Sequence, residues 1–212
     1  MSCREPGSNA YARGIDVSRW QGEIDWARVA AAGVTHGVAK MSEGATYADP
    51  RFVENFRGMR ANGLQAGAYH YFRALNCTPG EQLANIRDRL AAVDFEVGRD
   101  LFAIDVEARY NEQATPEQMA DGLFQLVRLV RELHGGAHPV IYTAAGFWDR
   151  QVAWQSYDFS ECPLWVAHWQ VDEPVLPQSW RCRGLGWRWW QHSSKGLVDG
   201  IQGEVDLDWV TV

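Results

Sequence analysis

LFAIDVE, residues 101–107, is the segment from which the fold and the chemistry can both be read. Leu101 to Val106 is an almost continuous apolar run, the pattern of a strand buried on both faces of a parallel sheet. It leads into two carboxylates, Asp105 and Glu107. Residues two apart on a strand project to the same side, and their Cα atoms lie roughly 6.5 Å apart at ~3.3 Å per residue. Two carboxylates in one cleft repel when both are ionised. One of them should therefore keep its proton above the ordinary range, which suits a general acid beside a charged partner. A D-x-E triplet at a solvated strand end would look the same, so the flanking sequence has to decide.

On both sides, short apolar runs alternate with helical patterns. Upstream, Gly14–Ser18, Thr35–Met41 and Leu64–Phe72 read as strands, and Asp25–Ala32 and Pro50–Ala61 as helices. A helix is expected from Pro79 to about Val97. Downstream, Thr115–His134 carries a capping box in Thr115 and Gln118, with Pro116 in the first turn. Leu123, Leu126, Val127, Val130 and Leu133 form its apolar face. His138–Thr143, Pro163–Trp169 and Leu185–Gln191 read as further strands. Alternation of this kind predicts an α/β fold with a parallel sheet, and in a closed barrel the site lies at the C-terminal strand ends. Those ends carry Asp16, Lys40 with Glu43, Tyr69, the Asp105–Glu107 pair, Tyr142, Trp165 with His168, and Gln191. Asp206 and Asp208 follow near the C-terminus.

The chain has 212 residues, 46% hydrophobic and 22% charged, enough for one large core and too apolar for disorder. A net charge of −7 gives no general attraction to nucleic acid or to an anionic membrane. No apolar run approaches the ~18 residues of a membrane span. The first twelve residues are polar and read as an extension before the domain at 13–212. They hold no signal-peptide stretch, so either a signal has been removed or export does not use one. Cys3, Cys77, Cys162 and Cys182 form no C-x-x-C pair, so a zinc site is not expected, and no cofactor is. Cys162 and Cys182 would pair in an oxidising compartment and stay as thiols in a reducing one. Eleven tryptophans are divided between core packing and sugar stacking. Either role fits Trp20, Trp148, Trp169 and Trp190.

Eight segments in order, spanning nearly the whole chain after Tyr11, resemble glycoside hydrolase family 25, the lysozyme (N-acetylmuramidase) family. They are GIDVSRWQGEIDW (14–26), KMSEGATYADPRFVENF (40–56), GLQAGAYHYF (63–72), FAIDVE (102–107), PVIYT (139–143), PLWVAHW (163–169), WWQHSSKG (189–196) and VDGIQGEVDLDW (198–209). The resemblance implies an irregular, flattened (β/α) barrel of the TIM type in a single domain. It also implies cleavage of the β-1,4 bond between N-acetylmuramic acid and N-acetylglucosamine in peptidoglycan. The family's four acidic positions fall on Asp16, Asp105, Glu107 and Asp206, and its aromatic positions on Tyr69, Tyr142 and Trp165. Three positions depart from the family pattern. Arg19 stands where His often follows D-V-S, His168-Trp169 follows L-W-V-A, and Asp208 stands where the usual V-D-x-N ends in Asn.

In this reading Glu107 is the general acid. Asp105 stays ionised, to stabilise positive charge or to orient the substrate's N-acetyl group. Asp16 and Asp206 hold that pair and tune it. Tyr69, Tyr142, Trp165, Lys40, Trp169 and Gln191 are candidate substrate contacts; Lys40 fits a buried salt bridge equally well. His70 follows Tyr69 and points the other way, as a packing histidine would. A chitinase-like hydrolase would need an Asp two places before Asp105, where Ala103 stands. An inactive cell-wall-binding module that kept the cleft is the other rival. An enzyme of this kind works in the cell wall or periplasm. Without an export signal it would suit a toxin injected into rival bacteria, with a cognate inhibitor protein in the producer.

Overall fold

The computed structural model describes residues 11–211. Cys3 and most of the expected extension lie outside them. Tyr11 and Ala12, expected in that extension, belong to strand β1 (Tyr11–Val17).

The chain continues through α1 (Trp26–Ala31), β2 (His36–Glu43), β3 (Tyr47–Ala48), α2 (Phe52–Ala61), β4 (Gln65–Tyr71), α3 (Pro79–Leu90), β5 (Leu101–Asp105) and α4 (Pro116–Leu133). It ends with β6 (Val140–Thr143), α5 (Ala145–Gln151), β7 (Leu164–Ala167), α6 (Gln178–Arg181), β8 (Trp189–Gly196) and β9 (Val205–Thr211). Eight strands close into a barrel in the order β1-β9-β8-β7-β6-β5-β4-β2, sealed by parallel pairing of β1 with β2; β3 is a short flap hydrogen-bonded to β2.

The barrel is mixed rather than wholly parallel. β9 runs antiparallel to both β8 and β1. A parallel return needs a crossover of a dozen or more residues, and the connection over 197–204 is too short for one. The chain turns back through Gly200 and Gly203, both at positive φ, and β9 closes the barrel in reverse.

Period-two alternation sorts the strands. Ile104, Ile141, Leu164, Val166 and Trp190 face outward into the main core under the helices, whereas Val38, Ala103, Val140, Tyr142, Trp165 and Trp189 fill the barrel. Gly14 makes room inside: a Cβ there would stand 3.0 Å from the Trp189 ring and 3.1 Å from the Asp208 Cβ.

Helix starts follow the sequence closely. Thr115 caps α4 with Gln118 completing the box, and Thr78 and Glu81 do the same for α3. Other features differ. α3 stops at Leu90, well before Val97. Phe95 then packs on Phe56 and Phe102, and Gly98 turns at φ +86°. β8 begins at Trp189 rather than Leu185, because the stretch after α6 is a turn closed by a Leu185 N–H bond to the Trp180 carbonyl. Leu133 is 39% exposed, at the end of α4.

Of the two states left open for the thiols, the structure has the unpaired one. Cys77, Cys162 and Cys182 are all free. Cys162 is buried with Sγ 3.8 Å from His138 Nδ1, while exposed Cys182 turns its Sγ toward the Ser179 carbonyl. Burial pushes the Cys162 thiol up to about 12.

Candidate active site

A cleft of about 220 Å³ opens at the C-terminal ends of the parallel strands, lined by Asp16, Tyr69, Asp105, Glu107, Tyr142, Trp165, Trp169, Gln191, Ser194 and Asp206. It gathers every candidate named from the sequence except Lys40, and adds Ser194. A larger hollow of about 470 Å³ lies at the other end of the barrel, among the strand starts and residues such as His36, Val140 and Arg188. It holds none of the paired acids, so the smaller cleft is the place for chemistry.

The alternation that packs the barrel also supplies the acids. Asp105 continues the inward row Leu101-Ala103, and lies between Tyr71 and Tyr142 in register. Asp16 on β1 faces Asp206 on β9 directly. Asp208, two residues on, shares the inward side with Asp206.

Gln191 ties the far wall together. Its Oε1 accepts from the Tyr142 hydroxyl and from Trp169 Nε1, both at 2.9 Å, and its Nε2 donates to Asp16 Oδ2 at 2.7 Å. An indole N–H can only donate, so the amide orientation is fixed by its partners. Trp169 is 48% exposed and presents its ring to the cleft mouth. Trp148 and Trp190 are core residues, bonded to Ser179 and to the His168 carbonyl. Trp20 is 75% exposed.

Lys40 does not line the cleft. Its ammonium pairs with Glu43 Oε2 at 2.8 Å, and Arg73 Nε donates to the other oxygen of Glu43 at 2.9 Å. The Lys40 charge still acts on both Asp105 and Glu107, so it serves as a salt bridge and as a counter-charge. His70 is a fully buried packing residue held by Ser42 and Gln82; burial lowers it to about 4.

Burial is the largest influence on every acid here. It raises Asp105 well above the ordinary range, reinforced by Glu107 and opposed by Lys40. It raises Glu107 too, with Lys40, the Tyr142 hydroxyl and Arg109 pulling back. The expectation that Asp105 simply stays ionised is therefore revised. It is the deeper member of the pair, its Oδ1 has no hydrogen-bond partner among the described residues, and burial beside Glu107 favours its protonated form. Burial and Glu107 raise Asp206 to about 6.

Asp208 was noted in the sequence but given no role, and the structure places it beneath the site. It is 1% exposed, its Oδ1 accepts from Trp165 Nε1 at 2.7 Å, and it adjoins Asp16. Burial raises it to about 8, and raises Asp16 well above its ordinary value with help from Asp206 and Asp208. Between about pH 4 and 8 the folded chain thus keeps a proton on Asp208 that the unfolded chain has released, so stability falls as pH rises through that window. Asp208→Asn should remove this cost. At pH 7 its melting temperature should exceed that of the wild type by ~2–4 °C or more, taking ~1 kcal/mol as a lower bound. The gain should shrink toward pH 4. Calorimetry across this range checks it, and a variant less stable at pH 7 contradicts the assignment.

Comparison with known proteins agrees with this geometry. The family model "Glycosyl hydrolases family 25" matches residues 15–201. The chain belongs to glycosyl hydrolase family 25. It is 31% identical over 211 residues to Lysozyme M1 of Streptomyces globisporus, covering 95% of this chain and 68% of that protein. It is 39% identical over 200 residues to the uncharacterized protein YegX of Escherichia coli O157:H7, covering 92% of this chain and 68% of that one. Among solved structures, the bacterial lysozyme from Streptomyces coelicolor superposes with a TM-score of 0.82 at 29% identity, over 95% of this chain and 92% of that one. Membership makes the chain a glycoside hydrolase, and the eight-stranded mixed barrel is the family's fold.

The strands that carry the acids of the family 25 cleft also carry a cationic and aromatic rim just outside its lining. It is built from Lys40 of β2, Tyr71 of β4 and the segments after β1, β2, β4 and β5. The Arg19 guanidinium lies 4.6 Å from the Trp20 ring and 5.6 Å from Tyr47. Lys40 sits over Tyr71 at 4.8 Å, and the Tyr71 hydroxyl donates to the Arg109 carbonyl at 2.7 Å. Arg109 and Arg73 lie over Tyr110 at 4.9 and 3.8 Å.

Proposed function

We propose that this glycoside hydrolase is an N-acetylmuramidase, cleaving the β-1,4 bond between N-acetylmuramic acid and N-acetylglucosamine in peptidoglycan. The observation that carries the reading is the pairing of buried Asp105 with half-buried Glu107 in a cleft with aromatic walls. A lysozyme among the relatives supports the substrate class. The reaction belongs at the cell wall, where the substrate is; among the described residues no helix is long and apolar enough to cross a membrane.

In this reading Asp105 and Glu107, both raised and acting on each other, share one proton, and the chemistry follows from it. Glu107 is the more exposed member of the pair and acts as the acid on the leaving-group oxygen. Asp105 accepts the N–H of the substrate's N-acetyl group. That hydrogen bond favours the charge on Asp105 and so moves the proton onto Glu107, where it is needed. The acetamido oxygen then attacks the anomeric carbon as the glycosidic bond breaks. Glu107, now a carboxylate, takes a proton from the water that opens the resulting ring intermediate. Asp16 and Asp206 keep the far side of the cleft polar, with Asp16 fixed by Gln191.

Mass spectrometry of digested peptidoglycan tests the assignment. Fragments ending in reducing muramic acid are expected. Reducing glucosamine ends would make the enzyme a glucosaminidase, and no loss of turbidity from a cell-wall suspension would leave only a binding module.

A further inference from the structure

We propose that Arg19 and Arg109, mounted on Trp20 and Tyr110 along one rim of the cleft, bind carboxylates of the peptide stems carried by the muramic acid residues. This deepens the muramidase reading and rests on it.

The four cations of that rim are not equivalent. Lys40 and Arg73 share Glu43 as a partner. Arg19 and Arg109 have no ion-pair or side-chain hydrogen-bond partner among the described residues. Asp49, which meets Arg19 through the backbone, is buried and so engaged: its carboxylate accepts the backbone N–H groups of Arg19 at 3.1 Å and Arg51 at 2.9 Å. Each free guanidinium instead rests on a ring, and both rings are exposed, Trp20 at 75% and Tyr110 at 46%. A guanidinium over a ring is held by cation–π attraction, which occupies its face. Its edge N–H groups stay free, and these form the fork that takes a carboxylate by two parallel bonds.

Position selects the ligand. Arg109 stands two residues beyond Glu107 and its charge reaches that carboxyl. Arg19 stands three residues beyond Asp16, at the same end of the barrel. The rim therefore borders the point where a muramic acid residue must sit to be cut. Peptide stems hang from the muramic acids and carry free carboxylates, whereas the sugar backbone between them carries none. In a protein with a net charge of −7 and an acidic cleft, an unpaired cationic rim is the surface suited to anions.

The test compares stem-bearing peptidoglycan chains with the same glycan after an amidase has removed the stems and the lactyl carboxylates thereby freed on the muramic acids have been converted to amides. kcat/KM is measured for the wild type, Arg19→Ala, Arg109→Ala and the double variant. Taking the ratio of the two substrates cancels any direct effect of Arg109 on Glu107. The wild type should prefer stem-bearing chains, less so as salt rises. The double variant should lose about tenfold of that preference, through KM, as expected from ~1.4 kcal/mol of lost contact. A ratio unchanged in the double variant overturns the proposal. So does a preference that disappears when wall phosphate polymers are stripped and survives removal of the stems. If the wild type cuts both substrates and only the ratio fails to move, the rim assignment fails alone; if it cuts neither, the muramidase reading has failed.

Discussion

Glu107→Gln is expected to lower turnover on peptidoglycan by at least ~10²-fold, since proton donation of this kind contributes ~10²–10⁴-fold. The amide keeps the shape of the side chain and removes its acid. Folding should be unaffected, because burial already disfavours the charged form of Glu107. The loss should fall on kcat, with KM for soluble glycan chains close to normal. Retained turnover in a folded Glu107→Gln protein would sink the assignment of the acid. The wild-type pH profile supplies a second check. A raised acid stays protonated above the ordinary carboxylate range, so the alkaline limb of kcat/KM should lie above about pH 4.5, the usual value for Glu.

Asp105→Asn should cost a similar amount, ~10²-fold or more, for a different reason. An amide cannot carry the charge that fixes the N-acetyl group and sends the shared proton to Glu107. Binding of peptidoglycan fragments should persist. The melting temperature should hold or rise, since the substitution removes a buried carboxyl whose Oδ1 has no partner among the described residues. Loss of activity without loss of stability is the signature of a group kept for chemistry. The same mechanism requires the acetyl group itself. A glycan de-acetylated beside the scissile bond should resist the wild-type enzyme. Protein-nucleophile enzymes place their two carboxyls on opposite sides of that bond, ~5–5.5 Å apart, and two acids on one strand end are poorly arranged for this. Rapid cleavage of the de-acetylated glycan, or a covalent glycosyl ester on Asp105, would replace substrate assistance with a protein nucleophile and leave the muramidase reading standing.

What the sequence determined by itself was local or periodic. The two-residue alternation of LFAID placed Asp105 inside the barrel, and the same rule placed Tyr69 inward and His70 outward. Capping residues fixed the starts of α3 and α4, because a cap and its partner lie within three residues of each other. Four acidic positions and three aromatic ones were legible from motif order, and all seven line one cleft. The tertiary structure decided whatever depends on how distant strands close. Gln191 and Asp16 are 175 residues apart in sequence and form one hydrogen bond because β9 joins β8 to β1. The same reversed strand puts Asp208 beneath Asp16, and with it a buried acid that no short window of sequence distinguishes from a solvated one. Lys40 could be assigned to Glu43 only once the end of β2 had been folded. The raised proton affinity of Asp105 has the same kind of cause. Desolvation is the sum of everything packed around a group, and only the closed barrel determines that sum.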